Sequence, residues 1–111
     1  MKEVFLVKPN KVYRKSFENY VTAYKKINDE HYFNKYKKAL DNFQDYIEDL
    51  YNYSMGYHLP QGDGAVSTFW LVDKNEVVGV VRIRHKEEGT AGHIGYDISP
   101  DFRNRAYGNE I

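Results

Sequence analysis

The sequence predicts an α+β domain, and three observations predict it. A short apolar run, Val4–Val7, is ended by Pro9 and Asn10 and suits a first strand. From Lys11 to Leu50 the apolar residues recur at spacings of three and four, the period of amphipathic helices. After Ala65 the chain changes to β-rich runs separated by short turns. The resulting order is an N-terminal strand, two amphipathic helices, a three-stranded antiparallel meander and the start of a further helix, all in one domain.

Each element has its own warrant. Phe17, Tyr20, Val21, Tyr24 and Ile27 form the first helical stripe, which Asn28-Asp29 closes or interrupts. Phe33, Tyr36, Leu40, Phe43, Ile47 and Leu50 form the second. Lys35, Lys37, Lys38, Asp41, Asp45 and Glu48 lie mostly around its other faces as a solvated surface. "SMGYHLPQGDG", residues 54–64, reads as a loop because of its glycines and proline. "STFWLVD" and "VVGVVRIRH" flank Lys74-Asn75-Glu76 and read as a hairpin. "KEEGTAG" is the next turn and "GHIGYDI" the third strand of the meander. Gly79, Gly92 and Gly95 mark a bulge or a close backbone approach. Arg82 and Arg84 alternate with Val81 and Ile83, which suggests one wet sheet face and no role beyond solubility.

Composition narrows the function classes. A chain of 111 residues holds one small domain, and 41% hydrophobic with 29% charged residues is a soluble, globular balance. A net charge of zero argues against a general nucleic-acid or acidic-membrane binder. The absence of cysteine removes disulfides and thiolate metal sites, and the four scattered histidines suggest no metal centre. "MKEVFLVKPN" is too short and polar for a secretory signal, and no run spans a bilayer, so a cytoplasmic setting is expected. The eleven tyrosines are expected to build the helical core in place of leucine, with an aromatic acceptor pocket as the sharper reading.

Chemistry is concentrated in Ser99 to Gly108. Pro100 should end the strand, and the chain then turns toward a helix whose first amides lack internal partners. Arg103 and Arg105 add positive charge, and Ala106 and Gly108 are small enough to admit a ligand to the backbone. Such a junction suits a pyrophosphate, although an ordinary connection with solvated arginines would share these residue types.

"WLVDKNEVVGVVRIRH", "GHIGYDISP" and "FRNRAYGNEI", in this order, resemble the GNAT superfamily of acyl-CoA-dependent N-acyltransferases. The resemblance covers the element order of the whole chain and is residue-specific from about Phe69 onward. Arg103-Asn104-Arg105-Ala106-Tyr107-Gly108 is similar to the family's Arg/Gln-x-x-Gly-x-Gly/Ala loop. It implies that the main-chain amides of Arg103, Asn104, Arg105, Ala106, Tyr107 and Gly108 hold the pyrophosphate of acetyl-CoA, the co-substrate. Backbone groups of Ile98 and Ser99 would meet the pantetheine arm. Ala106 departs from the family glycine; a Cβ at positive φ would cost on the order of 1 kcal/mol. The family's later strands and helices have no counterpart in the 111 residues, so a partial fold is expected, truncated just after the pyrophosphate loop. The strand "GHIGYDI" would then keep an open edge suited to pairing in a homodimer.

The implied activity is acetyl transfer to a primary amine, small-molecule or peptide, by direct attack. His93 and Asp97 share a strand face and are the catalytic candidates, His93 as base. Neither a metal, nor nucleic acid, nor a membrane is expected to take part. The acceptor would lie between the first helices and the sheet, near residues 54–64. The alternatives are a non-catalytic truncated remnant that associates through the exposed strand, and a small α+β interaction module without a cleft.

Overall fold

The computed structural model describes residues 4–59, 64–85 and 93–103. Four strands form one antiparallel sheet: β1 (Val4–Val7), β2 (Val66–Asp73), β3 (Glu76–Arg84) and β4 (His93–Ile98), in the order β1-β2-β3-β4. The N-terminal strand therefore extends the meander, with Val4 opposite Asp73 and Val7 opposite Trp70. The β2–β3 turn has two residues, Lys74 and Asn75, both with left-handed backbone at φ 51° and 67°. This is the mirror-image turn whose twist matches that of the flanking strands. The register shifts between Leu71 and Val72, so β3 carries an extra residue between Val77 and Gly79. Gly79 sits where chains crowd: a Cβ there would lie 2.8 Å from Ile98 Cδ1 and 3.2 Å from the Asp97 carbonyl oxygen.

Between β1 and β2 the described chain forms four helices rather than the expected two. A 3₁₀ turn, Lys11–Tyr13, is capped by the Asn10 side chain, and α1 (Arg14–Lys26) follows. Asn28, at φ 58°, ends α1, and Ile27 falls outside it, 49% exposed. The Asp29 carboxylate then accepts from the Tyr32 amide and starts α2 (Glu30–Tyr36). The second stripe is interrupted twice, giving α3 (Lys38–Asp41) and α4 (Phe43–Ser54). Asn42 causes the later break: its backbone is extended and its side chain accepts from the Asp45 amide, capping α4. The break rotates the stripe, so Ala39 is buried where Leu40 was expected.

The helices cover one sheet face. Phe17 stacks on Trp70 with ring centroids 4.3 Å apart, and Tyr20, Tyr24, Tyr36, Phe43 and Tyr46 join the same core with Val72, Val77 and Val80. Each such side chain contributes about 1.5–3 kcal/mol by leaving water. The opposite face holds a smaller cluster, Leu71 and Val78 with Val4, Ile98 and Phe102. Pro100–Phe102 forms a 3₁₀ turn after β4. The helix expected beyond it, and the "KEEGTAG" turn, lie outside the described residues. No described helix is long and apolar enough to cross a membrane.

Candidate functional site

Asp97 organises the polar interior. It points from β4 toward the helices and is only 6% exposed. Its Oδ2 accepts from the Tyr20 and Tyr24 hydroxyls, each at 2.6 Å. Its Oδ1 accepts from the Tyr36 hydroxyl at 2.5 Å and from Arg82 Nη1 at 2.6 Å. Arg82 Nη1 also donates to the Tyr36 oxygen. Every group around the carboxyl is a donor, which is the arrangement a buried carboxylate requires. The helical period makes it feasible: Tyr20 and Tyr24 are one turn apart on α1, and Tyr36 ends α2.

The surrounding phenols stay neutral to high pH. Burial, and then the charge of Asp97, raise Tyr20 and Tyr36 well above the ordinary value. Tyr24 is raised by burial and by its hydrogen bond to Asp97, and Tyr46 by burial and the Asp97 charge. Burial works against the Arg82 charge, but Tyr36 and Asp97 outweigh it and hold the guanidinium protonated. Arg82 thus faces the helices, 20% exposed at its side chain, and not a wet sheet face; the inward carboxylate explains the difference.

A cavity of about 330 Å³ opens where α2 and α4 meet β2 and β3. Tyr36, Tyr46 and Val80 are its buried wall; Lys35, Lys38, Arg82 and Arg84 bring positive charge, and Asp49 the opposing carboxylate. Lys38 and Asp49 pair at 2.6 Å. Leu59 and Gly64 from the 54–64 region also line it. Asp97 meets this cavity only through Tyr36 and Arg82.

A second cavity of about 360 Å³ lies between α1 and the ends of β3 and β4, bordered by Ser16, Lys26, Glu76, Ser99 and Asp101. Among the described residues the fully buried Ser99 hydroxyl has no hydrogen-bond partner there. The Ser99 amide donates to the Val78 carbonyl. The Ile98 carbonyl accepts from Tyr24 and from Arg103 Nε, and the Arg103 guanidinium lies 5.8 Å from the Tyr24 ring centre. Ile98, Ser99 and Arg103 are therefore brought together at the end of β4. Asn104, Arg105, Ala106, Tyr107 and Gly108 lie outside the described residues. His93 pairs in register with Arg84, four residues before Asp97.

Sequence reasoning singled out Asp97 but missed Tyr20, Tyr24, Tyr36 and Arg82 as its partners. The available signal was an aspartate alternating onto the same face as an arginine in the neighbouring strand, beside helices rich in tyrosine. A cross-strand contact, Ser67 Oγ to His85 Nε2 at 2.7 Å, was also unforeseen. No described carboxylate completes it as a nucleophilic triad. Among the described residues no group of acidic, histidine or cysteine side chains could hold a metal ion.

The fold and site together define an α+β domain with a carboxylate buried beneath a cationic cavity. Comparisons with protein-family profiles, with curated proteins and with solved structures found no match.

Proposed function

We propose that the chain is an acyl-CoA-dependent N-acetyltransferase of the GNAT type, or the N-terminal portion of one. The observation that carries this reading is the junction of β4 with the Ser99–Arg103 turn, beside a cavity floored by the same strand's neighbours. Strand β4, which among the described residues pairs with β3 alone, runs into Ser99–Arg103, the first of the residues the resemblance assigns to the coenzyme. The unpartnered Ser99 hydroxyl is a polar group of the kind an amide-bearing arm would satisfy.

The acceptor amine would occupy the cavity between α2, α4 and the sheet. Its neutral nitrogen attacks the thioester carbonyl carbon; a C–N bond forms, the C–S bond breaks, and the thiolate departs. The nitrogen's proton passes to a base, which this reading assigns to His93. Asp97 touches no acceptor in this scheme; it is a positioning residue that fixes Tyr36 and Arg82 in the cavity wall.

The exposed side of β4 favours a second reading. Ile94 is 67% and Tyr96 47% exposed, and among the described residues no strand pairs with that edge. This suits a non-catalytic remnant that associates edge to edge. Titration calorimetry with acetyl-CoA, together with mass in solution, separates the two. Micromolar binding by a monomer supports the transferase. A dimer that binds no acetyl-CoA supports the remnant and overturns the transferase.

A further inference from the structure

We infer that the Ser99–Arg103 turn straps the open edge of β4 at Ile98 and so keeps the same strand of a second copy from pairing along it. The inference bears on the second reading alone: association through β4 would require the turn to open first.

The first observation is where the Ile98 carbonyl points. The Ser99 amide donates to the Val78 carbonyl, in line with the register that sets Ile98 opposite Gly79. Backbone groups of an antiparallel strand turn to alternate sides, so those of Ile94, Tyr96 and Ile98 face away from β3. Among the described residues no strand meets them. At Ile98 the acceptor is nevertheless taken: Arg103 Nε donates to it at 3.2 Å, and the Tyr24 hydroxyl lies 3.1 Å away. That hydroxyl has one proton and a closer partner, the Asp97 carboxylate at 2.6 Å, so Arg103 is the main donor to Ile98. The tyrosine supplies instead a fixed ring for the guanidinium to rest on, 5.8 Å from its centre.

The second observation is the path of the turn. Pro100–Phe102 is a 3₁₀ turn in which the Phe102 amide donates to the Ser99 carbonyl. Phe102 packs with Leu71, Val78 and Ile98 on the sheet face opposite the helices. The next residue, Arg103, has extended backbone and carries its guanidinium to Tyr24 on the helical side. The turn therefore grips the end of β4 from both faces, with the Arg103–Ile98 bond on its open side.

The third is what would pair without the strap. Ile94 is 67% and Tyr96 47% exposed, and a two-fold axis would set β4 antiparallel to its own copy. An edge of this kind is a template for pairing. With Ile98 withdrawn, only the outward backbone groups of Ile94 and Tyr96 remain, too short a run to hold two copies together.

Sedimentation over a concentration series tests this on wild-type protein, Arg103→Ala and Arg103→Ala with Tyr96→Lys, each at low and high salt. Wild type should remain monomeric at both. Arg103 is exposed, so its truncation should leave the fold intact, as read by the fluorescence of buried Trp70. Self-association should tighten about tenfold or more, the equivalent of one hydrogen bond from a charged donor. Hydrogen exchange should show the Ile94 and Tyr96 amides protected in the associated form. Adding Tyr96→Lys should reverse the association by placing a charge on that edge. Wild type that associates, whether at low salt or only once salt screens the Arg103 charge, overturns the inference. So does an Arg103→Ala protein that stays monomeric, or that associates with Ile94 and Tyr96 unprotected. Titration of wild type with acetyl-CoA decides the transferase reading on its own, since neither result changes the expected masses.

Discussion

Replacing Asp97 by asparagine keeps the side chain's shape and inverts part of its chemistry. One acceptor oxygen becomes an NH₂ aimed at groups that are themselves donors. If the nitrogen takes the Oδ2 position, Tyr20 and Tyr24 lose the charged acceptor and keep only the Asp97 and Ile98 carbonyl oxygens; if it takes Oδ1, Tyr36 and Arg82 lose theirs. Each hydrogen bond to a charged group is worth about 1.5–3 kcal/mol, so two amount to roughly 3–6 kcal/mol. Viewed instead as a broken buried ion pair, leaving Arg82 uncompensated, the cost is about 3–5 kcal/mol. Both routes give about 4 kcal/mol, a large part of the ~5–15 kcal/mol that holds a domain together. The melting temperature should fall by about 15 °C or more. Trp70, the sole tryptophan, is fully buried on Phe17, so its fluorescence reports urea unfolding. Tyr24→Phe removes a single donor and should cost about 1–2 kcal/mol in the wild-type background and much less beside Asp97→Asn. An Asp97→Asn protein within about 1 kcal/mol of wild type would refute the reasoning, since the carboxylate would then hold nothing that an amide does not.

Two further outcomes follow from the same interior and from the crowded bulge. Tyr20, Tyr24, Tyr36 and Tyr46 all have raised folded-state values, so the stability tied to their neutral form is intact below the ordinary 10.0 and is lost as pH climbs through the raised values. Each should subtract about 1.4 kcal/mol per pH unit above that point, and phenolate absorbance should show the four ionising only as the protein unfolds. Gly79→Ala should cost about 1–3 kcal/mol in denaturant titration, because its methyl meets Ile98 and the Asp97 carbonyl. Gly95→Ala, with open space around the new atom, should stay within about 1 kcal/mol of wild type.

The strands were legible because their signals are local. Val4–Val7, the two runs around Lys74-Asn75 and "GHIGYDI" all carry β-rich residues between strong turn formers, and each is a strand in the fold. The helical region was legible in period but not in segmentation. Hydrophobic spacing passes smoothly through Asn42, whereas the helix does not, because a capping side chain competes with the backbone ladder. The polar centre was less legible still. Alternation along β4 assigns Asp97 a face but does not show what meets that face. Tyr20 and Tyr24 lie more than seventy residues from Asp97, and no local pattern carries that pairing. Arg82 was misjudged for the same reason: a charged residue in a strand reads as solvated unless its buried counter-ion is known.

The carboxylate of Asp97 has a consequence for how β4 docks. Among the described residues β4 pairs with one strand only, and a strand so held can slide, its side chains changing faces with every residue moved. A slip of one position here would bring Tyr96 or Ile98 under the tyrosine hydroxyls and drive an ion into the apolar cluster around Leu71 and Val78. Both errors are severe, so the anion acts as a latch that admits one alignment of β4 and rejects its neighbours.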